Sequence, residues 1–520
     1  MSGDATTLPL RRTPAGPVGL WRRASGRWAG ALSGADARAR LATLALVVIV
    51  VLSGLLVVMA ADRPSLLSAT THANFLPRWM AGPLGGLWPG LTRDGNTLKY
   101  LFTGAVAVMY GAYLFAFANA SRLPLRGVIG AIVAVHALFL LSPPLALTDI
   151  FNYVNYGRME VVHNLNPYTT IPILEPHGDP SFALSNWHQL LSPYGPLFTL
   201  LTFAVVPLGV AASFWALKAI LALASLATLV LVWKCARLLG RDPLAAIVLV
   251  GLNPIVLVWG LGGDHNDFLM LLLIVLGFYL LLRVRSRVDA APGQAPAAPG
   301  QTQGGRRDRL LVPFAEIGAG AAFVTATAIK ASAGVLLPVV LASVLRSRRA
   351  VAGVILGMLA AGAIVGVVSL LAFGLHIPDL NTQSRLVTNE SVPNLIGLAI
   401  GTGGENETIR EVMTGVLALS ILACCWLAWR QRDAITAAGW ASVALLVTLS
   451  WVLPWYVLWA LPLAALSSSR RLRVTVLVLG AYLIIAWAPA SGLLWNAIGF
   501  HPEKTSLGRL HQRYVKELLY

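Results

Sequence analysis

This chain encodes an all-α, polytopic membrane protein, and three observations point to that. Apolar runs of about 18 or more residues recur along its whole length, each enough to span a ~30 Å hydrocarbon core as a helix. Hydrophobic residues make up 57% of the 520-residue chain and charged residues 12%, against about 45–50% and about 25% in soluble domains. The arginines are gathered in short segments between the apolar runs, as in loops that face an anionic cytoplasmic leaflet.

That clustering also assigns the net charge of +17 to the membrane surface, and no nucleic-acid partner is expected. The three cysteines, Cys235, Cys424 and Cys425, lie in or beside apolar runs. Their odd count and lack of CxxC spacing point to neither a disulfide framework nor a zinc site. No P-loop, HExxH or GxSxG occurs, which disfavours an ATP-driven pump, a zinc protease and a serine hydrolase of that type.

Residues 1–40 form a basic N-terminal segment with no clear cleavage site after it, so 41–60 reads as an uncleaved first span with a cytoplasmic N-terminus. The Trp- and Pro-rich stretch within 61–97 suits a membrane interface. Spans follow at about 98–118 and about 127–147, then a long outer loop at 149–193. Segment 192–209 is read as re-entrant. If it crossed, Lys234, Arg237, Arg241 and the arginines of 286–310 would lie outside, against the positive-inside rule. Spans at 213–234, 244–261 and 267–283 follow, with the turn GGDHND at 262–267 on the outer side. The low-complexity stretch 286–310 is expected to be a disordered cytoplasmic linker. Segment 314–345 reads as a hairpin broken near Lys330. Spans at 350–373, 409–429, 434–451, 453–468 and 473–490 complete a membrane domain over 41–490, and 491–520 is a polar tail. The expected total is about 11–13 transmembrane helices.

Chemistry-bearing side chains collect in the outer loops. The stretch 148–168 holds Asp149, Asn152, Tyr153, Tyr156, Arg158, His163, Asn166 and Tyr168. Asp149 follows directly on an apolar run, where partial burial makes a carboxylate a better base; it equally suits a helix N-cap, and the readings are compatible. Arg158 can bind a phosphate with its planar fork of donors, or snorkel to the interface. Asp264, His265, Asn266 and Asp267 can bind sugar hydroxyls or a metal, or cap the next helix. Lys330 sits inside an apolar run, where a charge is costly; its partner is a phosphate or a buried acid. Arg385 is a further phosphate candidate. Asn253, Pro254 and Trp259 read as packing or kink features, and the tryptophans of 451–459 first as an interface belt, with sugar stacking as the alternative.

The order of several short motifs resembles the GT-C superfamily of membrane glycosyltransferases, most closely the actinobacterial MptA/MptB group of α-1,6-mannosyltransferases. The motifs are Asp149, Tyr153, Gly157 and Asn166-Pro167-Tyr168; Pro193-Tyr194-Gly195-Pro196; Leu252-Asn253-Pro254; and Gly262-Gly263 with His265-Asn266-Asp267. The resemblance covers roughly residues 98–490. The Asn, Arg and His residues added within the 149–168 loop, and the linker, depart from the group. The resemblance implies a GT-C-type bundle and an inverting displacement. Asp149 would deprotonate an acceptor hydroxyl on a glycan or glycolipid. The donor would be a polyprenyl-phosphate sugar, most consistent with mannose, and its departing phosphate would meet Arg158, Lys330 or Arg385. The sugar and acceptor would contact Asn152, Tyr153, Tyr156, His163, Asn166, Tyr168, Tyr194, Asp264, His265, Asn266 and Asp267. No cofactor and no metal are implied. The implied location is the plasma membrane, in contact with its lipids, with the site on the outer face and a role in cell-envelope glycan synthesis. The alternatives are an arabinofuranosyl or other sugar transferase of the same superfamily, and a transporter or lipid flippase. A transporter calls for internal repeats and mid-membrane charges.

Overall fold

The computed structural model describes residues 34–62, 77–88, 95–145, 149–289, 302–431 and 433–519. Regular structure among the described residues is helical throughout. In chain order the α-helices are α1 (Gly34–Asp62), α2 (Gly95–Ala118), α3 (Leu125–Leu140), α4 (Asp149–His163), α5 (Pro196–Val205), α6 (Val210–Leu238), α7 (Pro243–Gly251), α8 (Asp267–Asp289), α9 (Thr302–Ile329), α10 (Leu336–Val344), α11 (Arg348–Phe373), α12 (Leu380–Ser384), α13 (Val392–Ala399), α14 (Glu407–Gln431), α15 (Ala434–Thr448), α16 (Leu461–Leu466), α17 (Arg470–Trp487), α18 (Ser491–Ala497) and α19 (Ser506–Leu519).

Among the described residues, six helices are long and apolar enough to cross a membrane unbroken: α1, α2, α6, α8, α11 and α14. Two bent pairs raise the number to as many as 8. One is α7 with the π-helical Ile255–Leu261, bent by 48°; the other is α17 with α18, bent by 87°. The expected 11–13 crossings are approached only if shorter apolar segments such as α3, α15 and Pro454–Leu466 also cross. Most of residues 1–40 lies outside the described residues, and so does 290–301. The flanks of the expected linker are helical, since α8 runs to Asp289 and α9 begins at Thr302. The expected polar tail likewise carries α18 and α19.

The chain alternates between two ends of the bundle. At one end lie the turns rich in arginine. Asp433 caps α15 and Ser469 caps α17, the Ser467 and Thr436 hydroxyls meet at 2.5 Å, Arg346 lies 5.1 Å over Trp429, and Arg349 reaches Glu316 at 3.8 Å. At the other end, backbone hydrogen bonds join Leu145 to Gly262, Gly195 to Ile329 and Thr388 to Ser450. This segregation is the one that charge counting required.

Segment 192–209 begins at the polar end of the bundle, and the chain is at that end again by the third turn of α6. Helix α5 and its 3-10 extension comprise ten and three residues, ~20 Å of helix against a ~30 Å core. They start beside Ile329, and Gly209 (φ 82°) turns the chain into α6. In the third turn of α6, Lys218 meets Asp264. The broken hairpin is also present. Helix α9 ends at Ile329, Lys330 is extended (φ −151°, ψ 123°), and Ala331–Val335 form a 3-10 turn before α10.

Helices α9 and α11 cross at backbone contact. A Cβ on Gly320 would stand 2.1 Å from the Val354 carbonyl oxygen, and one on Gly357 would stand 1.9 Å from that of Ile317. Small residues at such crossings let membrane helices pack without a hydrophobic drive between them. Gly357→Val is expected to separate the two helices at a cost of ~1–3 kcal/mol or more. A melt in detergent then shows a midpoint several degrees lower, while Gly362→Val, at an open position, leaves the midpoint near that of the wild type.

Candidate active site

Helix α4 carries the first wall. Asp149 is its first residue, where a carboxylate complements the helix dipole. Its first three turns are largely buried, from Ile150 to Gly157 and at Met159, and Gly157 lets Thr202 approach, since a Cβ there would lie 2.8 Å from the Thr202 hydroxyl. The helix ends at Asn164, which has a left-handed backbone (φ 53°). The Asn164 N–H donates to the Glu160 carbonyl at 3.0 Å and the Leu165 N–H to the Met159 carbonyl at 2.8 Å, which satisfies carbonyls that the end of the helix would leave open.

The second wall is the turn Gly262–Asp267, which follows the π-helical Ile255–Leu261. π-turns in otherwise α-helical segments recur at functional sites. The 48° bend falls at Leu252-Asn253-Pro254, where the Asn253 side chain accepts from Ile255 N–H and donates to Tyr113; the kink reading of this motif holds. Neither glycine of the turn has room for a side chain. A Cβ on Gly262 would lie 2.4 Å from Val258 O, and one on Gly263 would lie 2.2 Å from Trp259 O and 2.4 Å from His265 Nε2.

Charges converge here in pairs. Asp264 adopts φ 56° and accepts from Lys218 Nζ at 2.7 and 2.9 Å. The His265 ring stacks on Trp455 at 3.6 Å between centroids and 11°, with Nδ1 3.4 Å from an Asp149 oxygen. The Asn266 N–H donates to Tyr153 Oη at 3.4 Å. Asp267 accepts from Lys330 Nζ at 2.8 Å and from the Trp459 indole. Lys330 also lies 5.1 Å over Tyr456 and 5.5 Å over Trp459. Tyr153 packs edge-on against Tyr194 and Phe198, each at 4.7 Å.

Exposure separates these groups. The side chains of Lys218, Asp264 and Asp267 are exposed by 0%, 3% and 0%, whereas Asp149 keeps 14% and Lys330 20%. A carboxylate and an ammonium group are thus presented at the cleft, and the other charges are buried and paired behind them. Among the described residues, no group of three or more His, Cys, Asp or Glu is placed to hold a metal.

The expected site residues divide. Asp149, Tyr153, Tyr194, Asp264, His265, Asn266, Asp267 and Lys330 come together at this cleft. Arg158, expected at the donor phosphate, is instead held by Asp179 through Nε at 2.9 Å and Nη2 at 2.9 Å. His163 meets the same carboxylate at 2.8 Å. The other polar groups of the loop are engaged in holding it. Asn152 bonds Asn186 and Trp187, Tyr156 donates to Leu190 O, Asn166 to Phe373 O and Tyr168 to Tyr194 O. Arg385, expected at the donor phosphate, is exposed and lies near Asp379 and Tyr514.

Four positions in or beside this cluster escaped the sequence reading. Trp455 and Trp459, read as an interface belt, are 2% and 5% exposed and form the cleft's third wall. Lys218 bears the same signal that singled out Lys330, a lone charge inside an apolar run. Asp179 gave no signal, because its partners are 16 and 21 residues away.

The fold and cleft define a multi-pass membrane protein with a polar site at one end of its bundle. The chain belongs to the alpha-(1->6)-mannopyranosyltransferase family. The model of that family's N-terminal domain matches residues 66–346, and the MptB C-terminal domain matches residues 391–500. Alpha-(1->6)-mannopyranosyltransferase A of Mycobacterium tuberculosis is 26% identical over 387 residues, which is 68% of this chain and 68% of that protein. A second alpha-(1->6)-mannopyranosyltransferase of the same organism is 28% identical over 395 residues, 65% of each. Alpha-(1->6)-mannopyranosyltransferase A of Corynebacterium glutamicum is 24% identical over 370 residues, 61% of this chain and 66% of that protein. The chain therefore spans about two thirds of the length of these relatives, slightly less for two of them. No solved structure matches it.

The loop beyond α4 has its own titrating group. Burial works against ionisation of Asp179, but hydrogen bonds from Arg158, Ser181 and His163 outweigh it and hold the carboxyl well below the usual range. Glu175 is 3% exposed. Burial pushes it from 4.5 up to about 7; Asn155 pulls it back, Asp179 adds to the rise and Arg158 opposes it. A raised carboxyl pKa makes the docked loop most stable below 4.5, less stable as the pH climbs to about 7, and level above that. Amide protection over 172–185, corrected for intrinsic exchange, is expected to fall between about pH 5 and pH 7.5. Glu175→Gln should flatten that dependence, and an unchanged slope in the variant would assign it elsewhere.

Proposed function

We propose that this protein transfers mannose from a polyprenyl-phosphate donor to a hydroxyl of a glycan or glycolipid acceptor, with inversion at the anomeric carbon. The observation that carries the proposal is the pairing of exposures. Asp149 and Lys330 are the charged groups presented at the cleft (14% and 20% exposed), and the cations and carboxylates behind them are already neutralised. A base and a phosphate-binding cation are the two groups this displacement needs. Family membership supplies the sugar, since its named relatives are mannopyranosyltransferases.

In this reading the acceptor oxygen attacks C1 of the donor sugar. Its proton passes to Asp149, the C1–O bond to phosphate breaks, and polyprenyl phosphate leaves with the electron pair. Lys330, held by Asp267 and the rings of Tyr456 and Trp459, meets the growing phosphate charge. The donor's isoprenoid tail lies along the bundle, which orients the head group in the cleft. Lys330 takes up the phosphate charge in this reading, with no metal or cofactor called for. The site faces the outer side of the plasma membrane, since the arginine-rich turns at the opposite end match a cytoplasmic surface.

Two measurements test this. Purified protein given polyprenyl-phosphate mannose and an α-mannoside acceptor is expected to turn over, and Asp149→Asn to lose about 10²-fold or more in kcat with its fold intact. Wild-type turnover in the folded variant removes Asp149 as the base. Activity with a pentose donor but not with mannose replaces the sugar. For orientation, Ser121→Cys in a background without other cysteines is expected to label only after the cells are permeabilised; labelling of intact cells inverts the arrangement.

A further inference from the structure

We propose that Lys218 is a positioning residue of the transfer reaction, acting through Asp264 to hold the turn that sets both the base and the phosphate-binding lysine. The proposal rests on the glycosyl-transfer reading above. Lys218 lies in α6 with its side chain 0% exposed, so it does not touch a substrate. Its ammonium group bonds both oxygens of Asp264, at 2.7 and 2.9 Å, and lies 5.4 Å over the Phe214 ring.

Asp264 is where such a restraint matters. Its φ of 56° is a left-handed conformation, disfavoured for a side-chain-bearing residue though less for aspartate than for most, and the Lys218 bond helps to hold it. The residues on either side leave no slack. Gly263 lies directly under the His265 ring, because a Cβ there would stand 2.4 Å from Nε2. The ring is in turn fixed against Trp455 at 3.6 Å, with Nδ1 3.4 Å from Asp149. Beyond it, Asn266 is tied to Tyr153 and Asp267 to Lys330. A shift at Asp264 therefore moves the groups beside Asp149 and the carboxylate that holds Lys330 together. Misplacement of reacting groups by ~1 Å can lower a rate by ~10²-fold.

A pair that merely stabilises the bundle and a pair that positions the turn give different results when both charges are removed. Lys218→Met alone strands a buried carboxylate and is expected to lower both stability and kcat. Lys218→Met with Asp264→Gly leaves no buried charge and places glycine at the left-handed position. This double variant is expected to recover the thermal midpoint to within a few degrees of wild type. Its kcat stays about tenfold or more below wild type, and KM for the polyprenyl-phosphate sugar changes by no more than about threefold, because no substrate contact is lost. Recovery of both midpoint and kcat makes the pair purely structural and overturns the proposal.

Lys218→Arg keeps the charges and the fold should any neutral variant fail to assemble. Its wider head group pushes Asp264 away, so kcat is expected to fall about tenfold at unchanged KM. Wild-type kcat in this variant also overturns the proposal. Failure here is separable from failure of the functional reading. The first leaves an active wild type beside active variants; the second leaves a wild type that turns over neither mannose nor pentose donors.

Discussion

The cleft depends on two lysine–carboxylate pairs at the two ends of one turn, one buried throughout and one exposed on its lysine side. Lys218 from α6 holds Asp264, and Lys330 from the α9–α10 break holds Asp267. Three carboxylates approach one another at this end of the bundle, and two ammonium groups stand among them. Without those cations the carboxylates would repel one another in a medium that screens charge poorly. Burying an ion pair costs solvation that the attraction between the partners only partly returns. The arrangement is thus poor as a way of stabilising a bundle. It suits a turn that must keep a fixed shape between helices from distant parts of the chain.

The same end of the bundle is where helical geometry gives way. Helix α7 passes into a π-turn, α9 stops at an extended Lys330, and Pro454–Trp459 form a 3-10 segment in place of a spanning helix. Non-helical backbone at membrane depth leaves polar groups that lipid cannot satisfy, so it persists where protein or a polar cavity surrounds it. Each of these breaks lies against another. Trp459 of the 3-10 segment bonds Asp267 beyond the π-turn, and Asp267 bonds Lys330 at the hairpin break. The irregular segments thus form one polar unit inside an otherwise regular apolar scaffold.

How much of this was legible in the sequence follows from the scale of each interaction. Asp149, the GGDHND turn and Lys330 stood out because charge is rare in this chain and costly in an apolar run. The re-entrant segment and the hairpin break followed from counting arginines, a sum over the whole chain that no single contact can upset. What failed to show was pairing. Arg158 reads as a phosphate ligand or an interface cation, whereas its partner is Asp179, 21 residues on. Asn152 and Tyr156 read as ligand contacts, yet they bond loop atoms 34 residues away. Trp455 showed only the preference of tryptophan for interfaces, since nothing in the local sequence places it on His265. Lys218 could have been found, because its signal equals that of Lys330. It lies mid-helix rather than at a break, and so passed as part of a span.

The pairing of Asp267 also bears on how Lys330 can serve a phosphate. A lysine already bonded to a carboxylate is a poor ligand if releasing it strands that carboxylate in a buried place. Asp267, at 0% exposure, would be stranded if Lys330 were its one partner. It is not, because the Trp459 indole donates to its other oxygen, and it opens α8, where backbone N–H groups and the helix dipole favour a negative charge. Lys330, 20% exposed and flanked by the faces of Tyr456 and Trp459, can then turn part of its three-donor head toward an incoming phosphate while the carboxylate behind it stays satisfied. The indole and the helix terminus together let one ammonium group be both anchored and available.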